Sequence, residues 1–247
     1  MRDIIFENGE YYHIFNRGVD KRETFIDDKD FWKFFDCLRD FNNSTYYLDR
    51  LGALGISKNS MRELHSDDFK RLGSFLRGQG RVVDIVSYNL IANHFHILAK
   101  QLQDSGISNL MHKVSLSYTN YFNKKHKRSG ALFQGTYKAV HIGSEQYLLR
   151  LIGYINGNIE IHNPSIKAIE YSWSSYQAIR NALSSFRLSQ DSAELSNLSV
   201  LSGLDTILSQ FANIEQLDEF IKMITKESRE NKKISKEMEK YFLDTDI

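Results

Sequence analysis

Cysteine is nearly absent from this chain: Cys37 stands alone among 247 residues, so neither a disulfide framework nor a cysteine-based zinc site can be built. That suits a reducing cytoplasm. No apolar run approaches the roughly 18 residues needed to span a bilayer. The first ten residues mix charges with a short Ile4-Ile5-Phe6 cluster and do not form a signal peptide. The expectation is therefore a soluble, untargeted, cytoplasmic protein with no membrane partner. Proline is equally scarce, and the single Pro164 sits just before a change in composition that marks the edge of the core domain.

A strong charge of one sign is also lacking. The formal net charge is +1, which by itself argues against nucleic acid as a partner. Distribution reverses that reading. Residues 1–180 carry 24 Lys and Arg against 19 Asp and Glu, whereas residues 181–247 carry 8 against 12. Residues 101–150 alone hold 7 basic and 2 acidic side chains, and a local basic face can serve a polyanion although the whole chain is nearly neutral. With 41% hydrophobic and 26% charged residues, the composition is that of an ordinary globular protein, one main domain with an appendage.

Periodicity supplies the organisation. Residues 10–18 are rich in β-formers and stop at Gly18, which predicts a first strand and a turn. Phe31, Trp32, Phe34, Phe35, Leu38 and Phe41 recur at helical spacing, so a core-facing helix follows. Residues 43–80, punctuated by Gly and Ser, read as an insertion, either an added DNA-binding or regulatory piece or a plain surface excursion. Residues 81–98 give the strongest β signal, two strands meeting near 89–93 in the middle of a sheet. Residues 106–124 form an amphipathic helix ending in a basic run, residues 131–141 are extended, and residues 144–159 form a third helix. This order predicts an α+β fold, a ferredoxin-like antiparallel sheet with helices on one face. The main domain would span 1–180. Residues 181–247 would add a helical C-terminal extension, with helices near 201–211 and 214–227 and a charged end over 226–240.

Two constellations carry chemistry. In Asn93-His94-Phe95-His96, strand alternation sends both imidazoles to one face and Phe95 to the opposite, core-facing side, so two ligands converge. The alternative is a pair of half-buried histidines on a sheet face. On the third helix Tyr154 and Asn158 are four apart and lie one turn from each other, presenting a phenol and an amide oxygen together. Packing is the usual role of a helical tyrosine, but Ile152, Ile155 and Ile159 already supply an apolar stripe beside this one.

Four segments, in order, resemble the single-tyrosine transposases of the histidine-hydrophobe-histidine endonuclease superfamily, particularly their REP-associated branch. They are Tyr12-His13-Ile14-Phe15-Asn16-Arg17-Gly18, Asn93-His94-Phe95-His96-Ile97-Leu98, Leu132-Phe133-Gln134-Gly135-Thr136-Tyr137-Lys138, and Tyr154-Ile155-Asn156-Gly157-Asn158 followed by Tyr171-Ser172-Trp173-Ser174-Ser175-Tyr176. The resemblance covers roughly residues 9–180, with a weaker echo over 211–223.

The resemblance implies that His94 and His96 bind Mg²⁺ or Mn²⁺, that Asn158 completes the metal site, and that Tyr154 attacks phosphorus. The activity so implied is a metal-dependent single-stranded DNA endonuclease and strand transferase working through a 5′-phosphotyrosine. Its partner would be single-stranded DNA, hairpin-containing, met by a monomer or a homodimer. The branch commonly places proline directly after the asparagine. Here Pro164 comes later, which makes His162 and Asn163 rivals for the third ligand. Lys124, Lys125, Lys127 and Arg128 are candidate DNA contacts, although a helix C-terminus favours positive charge in any case. Tyr118, Tyr121 and Phe122 beside them could stack unpaired bases or fill the core. Arg17, Gln134 and Lys138 are candidates next to the active site. The rival function is a catalytically silent nucleic-acid-binding regulator of the same fold, and a third is a phosphodiesterase that uses water.

Overall fold

Alternation in Tyr11–Arg17 (β1) puts Tyr12 and Ile14 on one side and His13, Phe15 and Arg17 on the other. In a computed structural model, which describes residues 4–42, 80–185 and 200–230, this strand lies inside a four-stranded antiparallel sheet. Its partners are Val83–Ile91 (β2), His94–Gln101 (β3) and Lys138–Ile142 (β4), in the order β2-β3-β1-β4. That order is the split βαβ arrangement of a ferredoxin-like fold. Residues 92 and 93 alone join β2 to β3, so the hairpin fixes the register in which Phe95 pairs with Leu90 and His96 with Asn89. The expected insertion, 43–80, lies almost wholly outside the described residues, as does most of the expected charged end.

Asp28–Phe41 (α1) starts where the Asp27 side chain accepts from the Asp30 amide, and Gly106–Lys125 (α2) ends with Lys124 and Lys125 against its dipole. Both pack on the Phe95 side of the sheet. Phe34 lies 5.0 Å from Phe95 and edge-on to Tyr118 at 5.1 Å, while Phe35 meets Tyr88 at 4.9 Å.

Glu145–His162 (α3), capped by Ser144, takes the other side. The sequence placed helices on one face; α1 and α2 obey that, and α3 does not. The physical reason is that β2 and β3 are buried on both sides, so the histidine face also needs a cover. Three buried side chains bond α3 to β2 in a closed ring: Asn156 Nδ2 donates to Ser87 Oγ (3.0 Å), Ser87 and Ser175 share a hydrogen bond (2.9 Å), and Ser175 Oγ donates to Asn156 Oδ1 (2.7 Å).

Past Pro164 the chain stays in the core. Residues 173–175 hydrogen-bond along the outer edge of β2 and close it. Then come Tyr176–Ser185 (α4), Leu204–Leu208 (α5) and Ile214–Glu230 (α6). The first of these was hidden in a tail read as serine-rich. Helix α6 crosses α3 at two glycines: a Cβ on Gly153 would meet Ile224 Cγ1 at 2.8 Å, and one on Gly157 would meet Thr225 Oγ1. Among the described residues no helix is long and apolar enough to cross a membrane.

Candidate active site

Register assembles the site before any side chain is considered. Read across β2, β3, β1 and β4, the face under α3 carries Asn89, His96, Phe15 and Lys138 in one row, and Ile91, His94 and Arg17 in the next. Asn89 Nδ2 donates to the Ile155 carbonyl of α3 (2.8 Å), which sets the helix over this row. Tyr154 then stands edge-on to His96 with ring centroids 5.9 Å apart, and Asn158 Oδ1 lies 3.3 Å from His94 Nε2. The two histidine rings are 5.1 Å apart and nearly perpendicular. Strand alternation and the helical turn thus bring together His94, His96, Tyr154 and Asn158, all from one chain.

The four are deeply placed: His96 and Asn158 are 0% exposed, His94 2% and Tyr154 6%. A phosphate must displace buried contacts to reach them. Buried polar atoms at such depth need partners. His94 Nδ1 faces Asn93 Oδ1 at 2.6 Å, and an amide oxygen only accepts, so the proton of a neutral His94 sits on Nδ1. Its Nε2 lone pair then faces another acceptor, Asn158 Oδ1. Two acceptors at that distance call for a proton or a cation between them, or for the Asn158 amide turned so that its Nδ2 donates to His94. The Asn158 Nδ2, moreover, is buried without a hydrogen-bond partner among the described residues. The donor set, two imidazole nitrogens and an amide oxygen, can hold a divalent ion: the oxygen is of the kind Mg²⁺ and Mn²⁺ take, and the nitrogens are of the kind transition ions take. Among the described residues no three His, Cys, Asp or Glu side chains gather as a metal group.

The rivals for that position separate. His162 is exposed, one turn beyond Asn158, with its ring 5.3 Å from that of His94. Asn163 is exposed at the end of α3, its Oδ1 accepting from the Ser165 amide. One residue was missed: His13 of β1, fully buried, whose Nε2 lies 2.9 Å from His96 Nδ1. The alternation of β1 had already put it on the face of Phe15 and Arg17.

The polyanion candidates divide. Arg17 pairs with His94 across β1 and β3, and Gln134 is exposed beside it, its amide donating to the Arg17 carbonyl (2.8 Å). Lys138 is exposed on the same face, two strands from His96 and so about 10 Å away along the sheet. The 124–128 cluster is on the opposite side, with α1 and α2. Within it Lys125 binds Asp27 (2.5 Å) and the fully buried Asp30 (2.7 Å), while Arg128 donates to Asn123 (2.5 Å) and the Ala131 carbonyl (2.9 Å). Partial burial works against the Lys125 ammonium, but these carboxylates raise its pKa. Lys125 and Arg128 are thus committed to the fold, and Lys124 and Lys127 are the exposed charges of the run. The proposed stacking residues go the same way: Tyr118 and Phe122 are core, and Tyr121 donates to the Lys29 carbonyl.

Burial pushes up the phenols of Tyr88, Tyr118, Tyr171 and Tyr176, and the last three donate to Thr24, Leu90 and Asp218.

Comparison with known proteins bears on the same residues. Residues 59–158 match the family model of the IS200-like transposases. The segment is IS200-transposase-like. This transposase-like stretch contains His94, His96, Tyr154 and Asn158, and it is the family that the four sequence motifs resemble. No curated protein matches the chain. A solved structure, a REP-associated tyrosine transposase bound to a REP hairpin, is similar with a TM-score of 0.47 and 9% identity, covering 78% of this chain and 92% of that one.

Proposed function

We propose that this protein is a transposase-like transesterase that cuts and rejoins single-stranded DNA through Tyr154. The observation that carries the reading is the meeting of a phenol, two imidazoles and an amide oxygen on one buried sheet face. The Tyr154 phenol gives up its proton as its oxygen attacks phosphorus, the bond to the 3′ oxygen breaks, and that oxygen takes up a proton and leaves as a hydroxyl. The 5′ phosphate stays on the phenol. Because the phosphoester is exchanged and not spent, a second 3′ hydroxyl can reverse the step without ATP.

His94, His96 and Asn158 would hold Mg²⁺ or Mn²⁺. When bound, such an ion polarises a non-bridging phosphate oxygen and stabilises the charge of the transition state. Arg17, beside His94, and the exposed Gln134 and Lys138 bind and orient the backbone of the strand, and Lys124 and Lys127 add attraction from the far side of the sheet. On this reading residues 1–180 form the catalytic unit and 181–247 an extension whose helix α6 steadies α3.

The test is incubation with single-stranded hairpins taken from the flanks of its own gene, with Mg²⁺ or Mn²⁺, followed by denaturing electrophoresis. A covalent protein–DNA adduct is expected, absent when His94 and His96 are both changed to Ala although strand binding persists. Cutting without an adduct would make water the nucleophile. Binding without cutting would make the protein a silent regulator.

A further inference from the structure

Both histidines of the pair have the Nδ1 side tied, but the ties differ. His94 is held by an amide oxygen, which accepts only, so its tautomer is fixed. His96 is held by His13, whose ring nitrogen can accept or donate. His13 lies on the neighbouring strand, is 0% exposed, and its ring is side by side with that of His96, centroids 5.1 Å apart and 16° between the planes. Phe15 packs beside both rings, 4.7 Å from His13 and 6.0 Å from His96. An imidazole that ligates a metal normally donates its other N–H to an oxygen, and loss of that partner typically lowers affinity 10–100-fold.

We infer that His13 is a positioning residue for the metal site: its Nε2 accepts from His96 Nδ1–H and so leaves the Nε2 lone pair of His96 for the ion. The inference rests on the metal reading given above. In the opposite polarity His13 would donate, His96 would carry its proton on Nε2, and ligation would be blocked. The His13 ring therefore selects which of two states His96 occupies. A neutral imidazole supplies no negative charge, so it orients His96 without making the site more anionic.

Two measurements on the full chain test this. Nitrogen-15 chemical shifts of the His96 ring in metal-free protein should report the Nδ1–H tautomer; an Nε2–H form would overturn the inference whether or not any variant folds. Mn²⁺ uptake, followed by the loss of the free-ion electron paramagnetic resonance signal without DNA, should weaken about 10–100-fold in His13→Phe. His13→Gln, whose amide oxygen reaches a similar position, should recover most of that loss. A folded His13→Phe protein with wild-type Mn²⁺ affinity would remove His13 from the site and leave the metal reading standing. Wild-type protein that takes up no Mn²⁺ would instead overturn the metal reading itself.

Discussion

The two faces of one sheet are built on opposite terms. Below it, Phe95, Tyr88, Phe34, Phe35 and Tyr118 interlock as a nearly pure aromatic core under α1 and α2. Above it, His13, His96, His94 and Asn89 are just as deeply buried yet carry polar atoms, which α3 meets with Asn158, the Ile155 carbonyl and the Ser87, Ser175 and Asn156 ring. Neighbouring residues of the same strand serve both purposes because the side-chain period is two. One face supplies stability, and the other holds reactive groups in fixed geometry with that stability behind them.

The comparison predicts a graded loss of stability from one face to the other. Truncating Phe95 to Ala should cost the most, about 3–5 kcal/mol, read from urea unfolding, since it opens a cavity between α1 and the sheet. Lys125→Ala should follow at about 3 kcal/mol, because it strips an ion-pair partner from the buried Asp30. Lys124→Ala and Lys127→Ala should each stay within about 0.5 kcal/mol. Those two should act on binding instead, flattening log affinity against log salt by about 0.7 for each DNA phosphate that is no longer neutralised. If Lys124 and Lys125 behaved alike in either assay, the division of the cluster into fold and surface would fail.

Next comes the junction of α3 with α6. Gly157→Ala pushes a methyl into Thr225 and should cost about 1–3 kcal/mol, and an added Thr225→Ser, which removes the Thr225 methyl but keeps its hydroxyl, should leave most of that cost in place. The acid range offers a finer probe. A hydrogen bond from Lys125 lowers the Asp27 pKa, so that carboxylate's share of stability is fully present above the ordinary carboxylate range. It is lost as pH falls through the lowered value. In Lys125→Ala this component of acid unfolding should shrink, leaving the part due to the Asp30 and Lys29 amides, which a pH series of melting curves would register.

The sequence made some of this plain and left the rest out of reach for identifiable reasons. Alternation in residues 94–96 and the helical turn from Tyr154 to Asn158 are local, and they told which groups share a face. That the two faces meet required knowing that α3 covers the histidine side, and only the burial of β2 on both sides determines that. His13 was visible as a residue of the right face, but its contact with His96 depends on the β1 to β3 register, 83 residues apart in sequence. The basic run misled for the same reason: Asp27 and Asp30, which occupy Lys125, are more than ninety residues earlier. Helix 176–185 was masked by the serines around it, Ser172, Ser174 and Ser175 before its start and Ser184 and Ser185 at its end.

At the far end of the gradient stands Tyr154→Phe, which keeps the ring against His96 and deletes one oxygen. Its stability should stay within about 0.5 kcal/mol of the wild type. The most direct measurement of the central claim is mass spectrometry of tryptic peptides after reaction with a cleavable single-stranded hairpin and Mg²⁺ or Mn²⁺. The expected result is a 5′-deoxynucleotide phosphate on the peptide that contains Tyr154, and no such modification anywhere in the Phe variant. An adduct on a different tyrosine, or cleaved strand with every tyrosine unmodified, would contradict it.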